Sequence, residues 1–181
     1  MRIIITGTPG TGKTEIAKKL AKRTGYELVS IKDFVNEKKL FSKGTGKGAE
    51  KEVDIKKLSR ALNICLKQFN DYIIEGHLAC EFKIPADFIF VLRTSPSVLK
   101  KRMQKRKYRK QKIDDNLEAE MLDYCVQRVE SVYRITPLEL DTSKRTIIQN
   151  VSEIEMAIKQ KKKKLDVVNY TGDLKEFLRL R

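Results

Sequence analysis

Gly7-Thr8-Pro9-Gly10-Thr11-Gly12-Lys13-Thr14 fills every fixed position of the pattern G-x-x-x-x-G-K-[ST]. The pattern has meaning only between a buried strand and the start of a helix, and both flanks are present. Arg2–Thr6 (RIIIT) is a short β-branched run, read as a fully buried strand. Thr14–Thr24 carries Ile16, Ala17, Leu20 and Ala21 at helical spacing, and Gly25 closes it. Gly7, Gly10 and Gly12 let the main chain curl so that several N–H groups point at one anion. The positive end of the following helix faces the same spot. Lys13 is placed to reach the β and γ phosphates, and the Thr14 hydroxyl to ligate Mg²⁺. The motif predicts a nucleoside triphosphate site, ATP with Mg²⁺ in the first instance.

The rest of the chain alternates in the same way. Tyr26–Ile31, Asp71–Glu75 (DYIIE), Phe88–Leu92 (FIFVL) and Thr146–Ile148 read as further strands. Helices are predicted from Asp33, as cap, to about Leu40, and through Ile55, Leu58, Leu62, Cys65, Leu66 and Phe69 at steps of three and four. Ser95–Arg106, Leu117–Ile135 and Val151–Lys163 complete the helical set. Repeated βα units predict an α/β fold, a five-stranded parallel sheet flanked by helices. Lys43–Glu52 (KGTGKGAEKE) reads as a mobile loop; its Gly-Lys is followed by Gly48, so it is no second phosphate motif. The tail 165–181 has a small apolar stripe, Leu174, Phe177 and Leu178, suited to docking as a helix.

The chain has 181 residues, the size of one well-buried domain. No apolar run approaches the roughly eighteen residues of a membrane span, and the three isoleucines near the N-terminus are too few for a secretory signal. Cys65, Cys80 and Cys125 stand far apart and the single histidine is His77, which excludes a disulfide scaffold and a standard zinc site. That cysteine usage suits a reducing cytoplasm. Lys and Arg number 39 against 24 Asp and Glu, a net charge of +15. Ten of the basic residues fall between Arg93 and Lys112 with no carboxylate among them. A one-signed run of this kind suits phosphates; plain solvation is the competing reading for any one member.

Candidate catalytic residues follow from strand ends, where open α/β sheets bind ligands. The third strand ends in Glu75-Gly76-His77, so Glu75 stands where a metal-orienting carboxylate belongs, with His77 two residues beyond. The fourth delivers Arg93, and Arg102, Arg106 and Arg109 follow on the basic segment, the last two within the polar stretch 106–116. Phosphoryl transfer is governed by positioning and charge neutralisation, and an arginine on the phosphates is worth roughly 10³–10⁵ in rate. An arginine-bearing lid over that segment would also exclude water.

GTPGTGKT, the EGH after the third strand, FVLRT after the fourth and RKYRKQKIDDNLEAEM at the lid together resemble the adenylate kinase isoenzyme 6 family. These are small atypical adenylate kinases and ATPases associated with small ribosomal subunit maturation. The likeness covers about residues 1–150, and DVVNYTG in the tail is similar to the extension of archaeal members. The resemblance implies a P-loop nucleoside monophosphate kinase-like domain over 1–164. Within it lie a monophosphate-binding region near 33–52 and a mobile lid near 106–116. It implies ATP on Gly7, Gly10, Gly12, Lys13, Thr14 and Glu15, with Arg106 at the phosphates and Lys144, in the turn before the last strand, near the adenine. Lys13, Glu75, His77, Arg93 and Arg106 form the implied catalytic set, and Thr14 with Glu75 the metal set. AMP or another nucleoside monophosphate is the implied acceptor, and a small-subunit ribosomal protein (universal protein eleven of the platform) and rRNA the implied partners, with no membrane. Two positions depart from the family pattern. Glu75 stands where Asp is usual, moving the carboxylate by about 1.5 Å, and Asn36 stands where some members carry an arginine for the AMP phosphate. Two alternatives stay open: an ATPase assembly factor with negligible kinase activity, and another small-molecule kinase such as a shikimate-type enzyme using Asp33.

Overall fold

A computed structural model describes residues 1–43 and 51–179. Most of the predicted loop Lys43–Glu52 therefore lies outside the described residues. The central sheet holds β1 (Arg2–Gly7), β2 (Glu27–Ser30), β5 (Tyr72–Glu75), β6 (Phe88–Arg93) and β7 (Leu138–Asp141), in the order β2-β5-β1-β6-β7. Every pairing in it is parallel, with Ile3 between Ile73 and Phe88 on its two neighbours. A short antiparallel pair, β3 (Phe41–Lys43) and β4 (Lys51–Val53), stands apart from it. The helices are α1 (Lys13–Thr24), α2 (Ile31–Glu37), α3 (Ile55–Cys65), α4 (Pro96–Lys105), α5 (Lys110–Met121), α6 (Tyr124–Tyr133), α7 (Ile147–Lys159) and α8 (Thr171–Arg179).

The alternation of side chains along β1 builds two cores. Ile3 and Ile5 face Ile16 and Leu20 of α1 and Val151 and Ile154 of α7; Ile4 faces Leu58 and Leu62 of α3 and Val129 of α6. With both faces covered, the inner strands have no polar side to show, which is why they read as unbroken apolar runs. A third cluster joins Leu99 and Met103 of α4 to Ile113, Leu117 and Met121 of α5.

Four expectations are corrected. The last strand is Leu138–Asp141, not Thr146–Ile148: Thr146 caps α7, its side chain accepting from Gln149 N while Gln149 reaches back, a capping box. Lys144 thus follows the last strand instead of preceding it. The helix read over Leu117–Ile135 is two helices, broken at Leu122-Asp123 where Asp123 is left-handed at φ 54°. Ser30, not Asp33, caps α2, its side chain accepting from Asp33 N at 3.4 Å. The first of the two helices read from Leu117 starts earlier than that residue, since α5 begins at Lys110 within the segment 106–116.

Candidate functional site

The loop between β1 and α1 is shaped by its glycines. Gly12 caps α1 in the left-handed region at φ 97°, leaving the first N–H groups of the helix free of side-chain caps. Gly7, at φ 135°, lies so close to β6 that a Cβ there would sit 2.4 Å from the Leu92 carbonyl oxygen. Thr11 Oγ1 donates to Thr8 O at 2.9 Å, and Thr142, beyond β7, donates to Thr11 O at 2.9 Å, so the loop is tied from within and from the far edge of the sheet.

Lys13 is buried. Its Nζ donates to the carbonyls of Gly7 (2.8 Å) and Thr8 (2.9 Å), which curl around it. Burial pulls its pKa below the usual lysine range, while Cys125, Glu75 and Glu120 act the other way. Thr14 Oγ1 donates to Glu75 Oε2 at 3.2 Å, joining the first turn of α1 to the end of β5. Gly76 lets α2 pack against the same strand end, since a Cβ on it would lie 2.8 Å from Ile31 Cβ. The adjoining turn, His77–Cys80, is held by Thr6 Oγ1 and Cys80 Sγ, both donating to His77 O.

The loop, the start of α1 and the end of β5 open onto one cavity of about 530 Å³. Gly10, Gly12, Lys13, Thr14 and Glu15 form one wall, and Glu75 and His77 the floor. Ile31, Lys32, Val35 and Asn36 of α2 form the opposite wall, with Arg106 and Tyr108 at the rim. A wider cleft of about 1070 Å³ adjoins it, sharing Pro9, His77, Leu78 and Tyr108 and running on past Arg109, Lys112 and Tyr124. Among the described residues no group of three or more His, Cys, Asp and Glu is arranged to hold a metal. Two oxygen donors, Thr14 and Glu75, do face this cavity, a set that fits a hard cation carried mainly by phosphates and water.

Lys13, Thr14, Glu15, Glu75, His77 and Arg106 are thus brought together. Arg93 is not. It is 2% exposed; its Nε donates to Glu120 Oε1 at 2.9 Å and its Nη2 to Glu120 O at 3.1 Å, and it pairs with Asp123 and Glu139 as well. Burial works against its charge, yet Glu120 and Asp123 hold the guanidinium above its ordinary range. Arg102 is also committed, donating to Thr142 O at 2.7 Å and to the hydroxyls of Thr142 and Thr94. Lys144 does not line this cavity. Two contributions escape a reading by motif: the wall from α2, which only the family resemblance points to through the region near 33–52 and Asn36, and Tyr108, the lone aromatic of the basic run.

The five-stranded parallel sheet, the glycine loop and the cavity above their strand ends define a P-loop kinase fold of the α/β nucleoside monophosphate kinase-like type. Solved structures agree: shikimate kinase from Bacteroides thetaiotaomicron aligns with a TM-score of 0.58 at 18% identity over 88% of this chain and 98% of that one. Deoxyadenosine kinase from M. mycoides, with bound dATP, aligns at 0.55 and 17% over 88% and 100%. The AAA-domain family profile matches residues 3–123. A Methanocaldococcus jannaschii protein named putative adenylate kinase is 36% identical over 180 residues, 99% of this chain and 98% of the relative. A Pyrococcus abyssi protein of the same name is 37% identical over 175 residues, 94% and 92% of the two chains. The chain belongs to this adenylate kinase-like family of P-loop proteins.

Proposed function

We propose that this protein is a Mg²⁺-dependent adenylate kinase, moving the γ-phosphoryl group of ATP to AMP to give two ADP. The observation that carries the reading is a single cavity with two unlike walls. The wall of Gly10, Gly12, Lys13 and Thr14 suits the β and γ phosphates of a donor. The wall of Ile31, Lys32, Val35 and Asn36 suits a second, smaller nucleotide. The names of the relatives support AMP as that acceptor.

In this reading the loop N–H groups hold the donor, and Lys13 Nζ turns from the Gly7 and Thr8 carbonyls onto phosphate. Arg106 at the rim meets the charge that spreads over the transferring group, and His77 on the floor orients the acceptor. Thr14 and Glu75 would hold Mg²⁺, which supplies neutralisation of the phosphate oxygens when bound. With no acceptor present water can take its place, giving a slower ATPase. Lys144 is assigned to the adenine side on the family resemblance alone. The test is direct: pure protein with Mg²⁺, ATP and AMP should form ADP well beyond the rate seen without AMP. No such excess removes the kinase reading.

A second reading, an ATP-hydrolysing assembly factor that contacts rRNA and the platform protein of the small ribosomal subunit, is favoured by one observation. Lys100, Lys101, Lys105, Lys107, Arg109 and Lys110 are all exposed around the α4–α5 turn. Pull-down against rRNA and small-subunit proteins in the ATP and ADP states tests it; no retention in either state counts against it.

A further inference from the structure

We propose that the segment from Asp166 to Phe177 is a strap that positions the lid, holding α4 and α5 so that Arg106 and Tyr108 stay on the rim of the cavity. The inference rests on the reading of 106–116 as a lid over a nucleotide site. The segment lies beyond the residues matched by the family profile, which end at 123.

Asp166 is the anchor. The strand β7 is an edge of the sheet, with main-chain groups open on its outer side. Asp166 N donates to Glu139 O at 3.1 Å, and Asp166 Oδ2 accepts from Asp141 N at 2.7 Å, so one residue completes that edge. Arg145 Nη2 donates to Asp166 Oδ1 at 2.9 Å and closes a second contact to the same carboxylate. Tyr170 is the pin. It is 9% exposed, with the Arg93 guanidinium carbon 5.4 Å from its ring centre. Its ring belongs to the cluster of Leu99, Met103, Ile113, Leu117 and Met121, which joins α4 to α5. Asn169 Oδ1 accepts from Thr171 N at 2.8 Å and starts α8, whose Leu174 and Phe177 extend that cluster.

The same cluster touches the phosphate loop: a Cβ on Gly10 would lie 2.8 Å from Leu99 Cδ1. The grip on α5 is adjustable for two reasons. Two left-handed residues bracket it, Lys107 at φ 56° and Asp123 at φ 54°, where the chain already turns sharply. And α8 has no fully buried residue, which puts it at the low-stability end of the molecule.

The test uses full-length protein: wild type, Asp166→Asn, Leu174→Ser and, as the conservative change, Tyr170→Phe. Without nucleotide, amide exchange over 110–121 should quicken on the order of tenfold in the first two variants and not in the third, with β1 and β5 unchanged. Affinity for a nonhydrolysable ATP analogue, by calorimetry, should fall several-fold in the same two variants. Unchanged exchange in α5 overturns the strap, and so does equal quickening in β1 and β5, which is general loosening. Faster α5 exchange with unaltered analogue affinity overturns its positioning role. A wild-type chain that binds no analogue counts against the nucleotide reading, and the exchange pattern still decides whether the tail holds α5.

Discussion

Thr14 and Glu75 meet through a hydrogen bond of 3.2 Å from Oγ1 to Oε2, although they are 61 residues apart. The contact joins the two oxygen donors that fit a hard cation, and Glu75 is 4% exposed. Glu75→Gln keeps the accepting oxygen and the side-chain length while removing the charge. ATP turnover should fall by about 10²–10³ at fixed Mg²⁺, the scale of one electrostatic contact to the transition state, and the melting temperature should stay close to wild type. A Mg²⁺ titration of turnover checks it; an unaltered titration curve removes Glu75 from the metal set.

Lys13 makes a complementary case. Its Nζ sits on the Gly7 and Thr8 carbonyls, so its charge is buried before any phosphate arrives. Lys13→Met should abolish turnover and weaken ATP-analogue binding while changing stability little, because losing a desolvated ammonium offsets the two hydrogen bonds. Calorimetric titration together with urea denaturation separates the two effects. A large loss of stability would recast Lys13 as a structural brace of the loop.

Why the phosphate loop was legible and β7 was not follows from where each gets its order. The loop is local: strand, three glycines, lysine and helix start are contiguous, and the backbone angles at Gly10 and Gly12 need no distant partner to be inferred. The strand β7 is Leu138-Glu139-Leu140-Asp141, short and half charged. Its Glu139 carboxylate is used by a partner far away, Arg93, and its Asp141 carboxylate by Ser143 in the turn that follows. Thr146–Ile148 looked extended because it is β-branched, although Thr146 and Gln149 carry the capping-box spacing. The break at Asp123 is likewise tertiary, since Arg93 reaches across to hold that turn. Arg93 was placed at a strand end correctly, but the acids that claim it lie on α5, β7 and the turn before α6. In the candidate site, the residues of the motif and Glu75, His77 and Arg106 were readable; the α2 wall was approached only through the family resemblance, by the region near 33–52 and Asn36, since the apolar pattern of IKDFVNE does not signal which face meets the loop.

Arg106 is exposed, lies at the C-terminal end of α4 and lines the cavity rim. Arg106→Ala should therefore leave the fold intact and lower kcat by about 10²–10³, with a much smaller change in ATP-analogue affinity. Steady-state kinetics beside calorimetry measure the split. Equal losses in both would make Arg106 a ground-state contact only.

Acid should release the tail in a defined sense. Hydrogen bonding from Arg145 holds the Asp166 carboxyl below its ordinary pKa, helped by the amide of Asp141 and opposed by burial. A depressed carboxylate contributes stability above its unfolded value, about 3.9, and loses it as pH falls through the folded value. The melting-temperature gap between wild type and Asp166→Asn should thus be constant from pH 8 to about pH 5 and close below about pH 4. Glu139 faces the same edge and titrates in wild type and variant alike, so it cancels in the difference. Thermal melts across that range check the prediction, and a gap that does not narrow at all between pH 5 and pH 3 would mean that the Asp166 charge contributes nothing.

Arg93 tests whether a strand-end arginine serves chemistry or architecture. Its guanidinium faces Glu120, Asp123 and Glu139, and Glu120 is 2% exposed. Removing the cation strands a buried carboxylate, so Arg93→Ala should cost about 3–5 kcal/mol in urea denaturation. Adding Glu120→Gln should recover part of that loss, because a neutral amide is far cheaper to bury than an unpaired charge. The recovery is read as a coupling energy from the double-mutant cycle. Turnover per folded molecule should fall less than for Arg106→Ala, since Arg93 touches α5 and β7 and not the cavity. If Arg93→Ala instead kept its stability and lost turnover as fully as Lys13→Met, the buried cluster would not be where this arginine acts, and the strand-end assignment to phosphate would stand.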